Sequence, residues 1–120
     1  MPQVYFADPA PRLLPVLSEL RMEVRALSRH AHRLAQKSVR EGGNGADGYH
    51  RRLSALFDDW LASGDARTRV VAFASAAEFG MDLRKHAEAC RQSAMRDGCH
   101  AVRALFWTAL RRSPSRWDLN

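Results

Sequence analysis

The sequence predicts an all-α protein, a single-domain bundle of four or five helices behind an extended N-terminal lead. Apolar residues recur at spacings of three and four along most of the chain, which is typical of amphipathic helices. Alternating patterns typical of strands are almost absent, and the helical stretches are separated by short segments rich in Gly and Ser. The 120 residues are enough to bury one hydrophobic core, so we expect one domain over residues 1–120.

The first helix is predicted to run from Pro11 or Arg12 to Glu41. Prolines near the N-terminus disfavour regular helix there, so residues 1–11 are expected to form an extended lead. Residues 42–48, GGNGADG, are predicted to end the helix in a flexible loop. An apolar seam spaced by four and three residues keeps one side of the helix hydrophobic, and it comprises Leu13, Leu17, Leu20, Val24, Leu27, Ala31 and Leu34.

Capping and breaking residues divide the rest of the chain into further helices. Asp47 is the expected N-cap of the second helix, and Asp65 opens a long helical stretch. Gly80 lies inside that stretch and leaves open whether one kinked helix or two separate helices form. The helical pattern is interrupted at Ser63-Gly64, Asp97-Gly98 and Ser113-Pro114. Residues 113–120 are expected to form a loose tail.

The charge of the chain predicts an anionic partner. The net charge is +6 and the isoelectric point is near 10.3, which favours nucleic acid first and a membrane surface or an acidic protein second. Residues 11–41 carry +4 and residues 99–120 carry +3, whereas residues 42–98 are neutral. Seventeen of the nineteen cations are arginine, which suits phosphate recognition, although a GC-rich genome produces the same bias.

The strongest candidate site is a basic arc on the first helix. At 3.6 residues per turn, a set of cations, one histidine and Gln36 covers about 120° of the helix surface without an acid. Such a surface can neutralise phosphates without reading sequence, and a merely solvated helix surface is the alternative. With the cations of the last helix, the candidate nucleic-acid-binding residues are Arg21, Arg25, Arg29, His32, Arg33, Arg40, Arg103, Arg111 and Arg112.

Trp107 and the segment around Gly80 suggest two further modes of binding. Trp107 is predicted to be the most exposed aromatic residue, where it can stack a base or cover an edge of the bundle. The segment 76–82 resembles the turn of bacterial helix-turn-helix regulators. That resemblance would direct Arg84, Lys85 and Arg91 towards DNA, but His86 occupies a position that is usually apolar in that family. An ordinary glycine turn is the alternative.

Metal binding and catalysis have little support in the sequence. The spacing of His86, Cys90, Cys99 and His100 matches no zinc module. The order of Ser, Cys, His and Asp residues along the chain does not indicate a Ser-His-Asp or Cys-His catalytic site. The glycine-rich loop lacks the Lys-Ser/Thr of a phosphate-binding loop. We therefore expect no enzyme, no metal and no cofactor, and the two cysteines are predicted to be free thiols in a reducing compartment.

The location expected for the chain is the cytoplasm. The N-terminus lacks the features of a secretory signal, and no stretch approaches the length of apolar sequence that a membrane span requires. No membrane partner is therefore predicted.

In size, helical content and basic charge, the chain resembles the small subunit of CRISPR surveillance complexes. The resemblance implies an all-helical subunit that lines the backbone of guide and target strands. We therefore expect a non-enzymatic protein that binds RNA or DNA backbone within a larger complex, with other protein subunits as partners. A phage- or plasmid-type adaptor or inhibitor that docks on an acidic protein is the alternative, and a helix-turn-helix regulator is a further one.

Overall fold

Five α-helices form the part of the chain that the computed structural model describes, which comprises residues 10–42, 45–62, 65–97 and 99–112, with side chains from residue 16 onward. These described residues contain no strand, so the predicted all-α fold class is confirmed. Most of the predicted lead and the whole tail lie outside them. The helices are α1 (Ala10–Gly42), α2 (Gly45–Ala62), α3 (Ala66–Glu78), α4 (Arg84–Asp97) and α5 (His100–Arg112).

The long helix α1 buries the apolar seam. Leu20 and Ala31 are completely buried, and Val24 is nearly so. Leu17 and Leu27 pack at the edge of the core, as the spacing of the seam predicts. Leu13 belongs to the residues whose side chains are not described. The helix also includes residues 10 and 11, which the sequence assigned to the lead, because a proline is compatible with the first helical turn.

Two of the predicted helix starts can be compared directly with the structure. Asp65, which was predicted to open the third helical stretch, is the N-cap of α3, and its Oδ1 accepts a hydrogen bond from the backbone N–H of Thr68 at 2.8 Å. The N-cap predicted at Asp47 is wrong, because α2 begins at Gly45 and Asp47 lies in its first turn. Gly45 has a φ of +61°, which a glycine adopts readily. The predicted loop 42–48 therefore belongs largely to helices.

Gly80 separates two helices rather than bending one. Its φ is +73°, and its N–H donates to the carbonyl of Ala77 at 3.0 Å. The N–H of Met81 donates to the carbonyl of Ala76 at 3.3 Å. This pair of hydrogen bonds is the usual way in which a glycine in the left-handed region ends a helix, so the chain leaves α3 here and α4 begins at Arg84.

The short helix α3 occupies the centre of the bundle. Every residue from Val70 to Ala77 is buried, and α3 packs against all four other helices. A helix that is buried around its whole circumference suits an interior position. Small residues on several of its faces allow the neighbouring helices to approach α3 from every side.

The packing of α3 brings the last helix next to the first. Phe73 and Phe106 are buried with their ring centroids 5.1 Å apart. Glu78 and Arg112, at the ends of their helices, line a common cleft. These two contacts show that α3 and α5 run in the same direction. Since α1 also packs against both helices, the C-terminal end of α5 lies beside α1.

Candidate nucleic-acid interface

The basic arc of α1 is exposed. The side chains of Arg21, Arg25, Arg29, His32, Arg33, Gln36 and Arg40 all lie on the surface. Because the buried seam occupies another sector of the same helix, packing of the seam fixes the direction in which these side chains leave the bundle. The predicted exposure of the arc on α1 agrees with the structure.

Six cations of α1 have no acidic partner within the described part of the chain. Among the residues that the structure describes, no carboxylate lies within ion-pair distance of Arg21, Arg25, Arg29, Arg33, Lys37 or Arg40. Glu23 lies on the same helix but pairs with Arg67 of α3. The positive charge of the arc is therefore not neutralised within the described part of the bundle.

Three of the four cations of α4 differ from those of α1 because carboxylates already pair with them, and the fourth, Arg96, is exposed. Arg84 pairs with Asp82, and Lys85 lies 3.5 Å from Asp58. Arg91 donates to Glu88 at 2.7 Å, and this hydrogen bond, together with one from Gln92, lowers the pKa of Glu88 to about 2. These are the three cations that a helix-turn-helix would direct towards DNA.

A cleft of about 340 Å³ lies between α1, α3 and α5. Arg21 and Arg25 line it from α1, and Arg112 lines it from the last turn of α5. Glu78 contributes a carboxylate and Thr108 a hydroxyl. The two basic helices therefore do lie side by side at this point. The apolar part of the lining consists of Val24, Ala74, Ala77, Leu105 and Ala109.

A short polar chain connects the cleft to the core. The hydroxyls of Ser28 and Ser75 lie 2.7 Å apart, and Ser75 is completely buried. The hydroxyl of Ser28 also lies 3.0 Å from Oε1 of Glu78 and donates to it. Buried hydroxyl groups need such partners. The chain therefore satisfies Ser75 and holds the Glu78 carboxylate beside the cleft.

The three predicted cations of α5 do not share one surface. Arg103 and Arg112 are nine residues apart, which places them on opposite sides of a helix with roughly 100° per residue. Arg112 lines the cleft, whereas Arg103 is half-buried and its Nε is buried without a hydrogen-bond partner among the described residues. Arg111 is exposed and is not part of the cleft lining.

At the other end of α1, the arc meets the start of α2. Nδ1 of His32 lies 2.7 Å from the hydroxyl of Tyr49, so His32 is already engaged. Burial raises the pKa of Tyr49, which keeps this phenol neutral around pH 7. Arg40 and Tyr49 line a second, more open cavity of about 320 Å³. The arc thus has a concavity at each end.

Two exposed apolar side chains accompany these cations. Trp107 is 41% exposed and its ring meets that of Phe106 edge-on. Among the described residues this agrees with the prediction that Trp107 is the most exposed of the Phe, Tyr and Trp side chains. Met22 is 67% exposed. At roughly 100° per residue, its place in the sequence puts it in the same sector of the helix as the basic arc. The sequence reasoning did not identify Met22, Glu78 or Thr108 as parts of this surface.

The histidines and cysteines singled out in the sequence are dispersed. Nε2 of His86 lies 2.9 Å from Oδ1 of Asp58, and this hydrogen bond lowers the pKa of that aspartate. Cys90 is buried, which raises the pKa of its thiol to about 11. Neither cysteine forms a disulfide. Across the described ranges, no three His, Cys, Asp or Glu side chains are grouped so that they could hold a metal ion.

Comparison with known proteins gives no relative from which a function could be transferred. No protein-family model matches the chain, and neither a curated protein nor a solved structure is significantly similar to it. None of the helices within the described ranges is both long enough and apolar enough to span a bilayer. The exposed charge and the cleft are therefore the features from which a function can be argued.

Proposed function

We propose that this protein is a non-enzymatic, cytoplasmic subunit that binds the backbone of RNA or DNA without reading its sequence. The binding surface consists of the basic arc of α1 together with Arg112 and Arg111 at the end of α5. Its proposed setting is a larger nucleoprotein complex with other protein subunits, as in the CRISPR small subunits that the chain resembles in size and charge.

One observation carries this proposal, namely that the six described cations of α1 are exposed and have no carboxylate partner among the described residues, whereas Arg84, Lys85 and Arg91 of α4 are paired. Arginines without an internal carboxylate are available to phosphates, and their forked guanidinium groups match phosphate oxygens. Side chains one turn apart along a helix form a row, which suits a partner with regularly spaced charges.

The same observation makes the helix-turn-helix alternative less attractive. Its recognition helix would be α4, and each of the three cations expected to contact DNA there already pairs with a carboxylate. An acidic protein remains the main competitor for the basic arc, because it would use the same unpaired charges.

Charge reversal on the arc tests the proposal. Arg29→Glu/Arg33→Glu changes two exposed cations that lie outside the cleft. We expect the affinity for a short random-sequence single strand to fall at least about tenfold, and the dependence of log K on log[salt] to become shallower by about 1.4. Fluorescence anisotropy at several salt concentrations gives both quantities. Circular dichroism should show no fall in the melting temperature, because neither side chain is in the core.

Arg51→Glu/Arg96→Glu is the matched control. Both cations are exposed, lie on other helices and change the net charge by the same amount. This control variant should lose much less affinity than the arc variant. Equal losses would mean that only net charge matters, and the absence of any salt-dependent binding to single-stranded or duplex nucleic acid would exclude the proposed function. Binding to an acidic polypeptide alone would favour the adaptor alternative.

A further inference from the structure

We propose that the cleft between α1, α3 and α5 accepts one nucleotide of a single strand. In this mode its phosphate lies among Arg21, Arg25 and Arg112, and its base lies against the apolar lining. This inference rests on the proposed function and goes beyond it, because a surface that only follows a backbone has no need of a pocket.

The charges around the cleft fit a phosphate. Three arginines from two helices line it, and none of the three has an ion-pair partner among the described residues. A single exposed arginine binds phosphate weakly because water competes for it, whereas converging guanidinium groups make several charge-assisted hydrogen bonds to the same anion. The cleft is the place where cations of α1 and α5 converge.

The rest of the lining fits a base rather than a second phosphate. Leu105, Ala77 and Ala109 supply apolar surface to which a planar ring can bind. Glu78 repels phosphate, but its carboxylate can accept hydrogen bonds from the amino groups of bases. Since Ser28 donates to Oε1 of Glu78, the other carboxylate oxygen is the natural acceptor for a ligand.

The size and shape of the cleft favour a single strand over a duplex. A volume of about 340 Å³ is at the lower end of the range of about 300–1,000 Å³ for ligand pockets. In a duplex the bases are stacked and paired, and turning one out costs a few kcal/mol. The bases of a single strand can turn into a pocket without that cost.

A bulky substitution in the lining tests this inference. Thr108 is half-buried and lines the cleft, so Thr108→Trp fills the space. Thr68→Trp is the matched control, because Thr68 is exposed near the other end of α3 and outside the cleft. Affinities for a short single strand and for a duplex of the same length are measured by fluorescence anisotropy, and folding is checked by circular dichroism.

We expect the wild-type protein to prefer the single strand by about tenfold, which corresponds to about 1.4 kcal/mol. Thr108→Trp should remove most of that preference while leaving duplex binding unchanged, and Thr68→Trp should leave both affinities unchanged. Adenosine monophosphate should compete with the single strand at least about tenfold better than inorganic phosphate, because its base buries apolar surface. Should Thr108→Trp fail to fold, Thr108→Leu replaces it, since this smaller side chain narrows the same cleft and should reduce the preference for the single strand in the same direction.

Equal affinities of the wild type for single strand and duplex, or equal competition by inorganic phosphate and adenosine monophosphate, would overturn the nucleotide pocket. So would an equal effect of Thr108→Trp on both nucleic acids. The proposed function survives each of these results, because Arg29→Glu/Arg33→Glu should still weaken binding of both forms. A different result would exclude the proposed function itself, namely the absence of salt-dependent binding by the wild-type protein.

Discussion

Nε2 of His86 on α4 lies 2.9 Å from Oδ1 of Asp58 on α2, and this contact connects two helices that are separated in the chain by α3. Lys85 lies 3.5 Å from the same oxygen. The hydrogen bond from His86, and secondarily the charge of Lys85, lowers the pKa of Asp58 from its ordinary value of 3.8. The ionised form of Asp58 is therefore favoured by folding.

This contact predicts a stability difference that depends on pH. A carboxyl group whose pKa is lower in the folded state stabilises the protein above its unfolded pKa, and the contribution disappears as pH falls through the folded value. Because Asp58 is 46% exposed, solvent screening limits the effect, and Asp58→Asn should lower the free energy of unfolding at neutral pH by about 0.5 kcal/mol. Urea denaturation of the two proteins should give values that converge as the pH falls below 3.8 and through the lowered pKa of Asp58. A difference that does not diminish as the pH falls would exclude this linkage.

The turn between α3 and α4 should tolerate asparagine better than alanine. A Cβ at Gly80 would meet no atom within 4 Å, so the cost of substitution is backbone strain at a φ of +73°. We expect Gly80→Ala to destabilise the protein by about 1 kcal/mol. Gly80→Asn should cost less, because asparagine adopts the left-handed region more readily. Chemical denaturation measures both. Wild-type stability in the alanine variant would show that the turn relaxes to a negative φ.

Phe106 and Trp107 are neighbours in sequence but should differ greatly in their contribution to stability. Phe106 is 1% exposed and packs on Phe73, so Phe106→Ala should cost about 3–5 kcal/mol. That is a large fraction of the stability of about 5–15 kcal/mol typical of a protein. Trp107→Ala removes a ring that is 41% exposed and should cost about 1 kcal/mol or less. Urea midpoints compare the two variants, and similar losses would contradict the packing described for α5.

Features of the fold that depend on nearby residues could be predicted from the sequence. The seam of α1 follows from spacing, and the N-cap at Asp65 follows from one side chain and one backbone N–H. Asp47 misled the prediction because a glycine two positions earlier can itself begin the helix. Whether Gly80 bends or ends a helix depends on how α4 packs against its neighbours, which its local sequence does not specify.

The candidate site was only partly predictable for the same reason. Exposure of the arc follows from the position of the seam, but the cleft brings Arg25, Glu78 and Arg112 together from three helices. No local pattern connects residues so far apart in the chain. The sequence could have shown that Arg103 and Arg112 lie on opposite sides of α5. They are nine residues apart, which corresponds to roughly two and a half turns of helix.

The row Arg21, Arg25, Arg29 and Arg33 has a cost for the protein itself. Like charges four residues apart repel each other along a helix, by about 0.2–0.5 kcal/mol for each pair, and no carboxylate among the described residues relieves this repulsion. Burial of the apolar seam therefore stabilises helix α1 against the repulsion between its surface arginines. Added salt should stabilise the isolated protein while it weakens any complex with a polyanion, so the two effects of ionic strength have opposite signs.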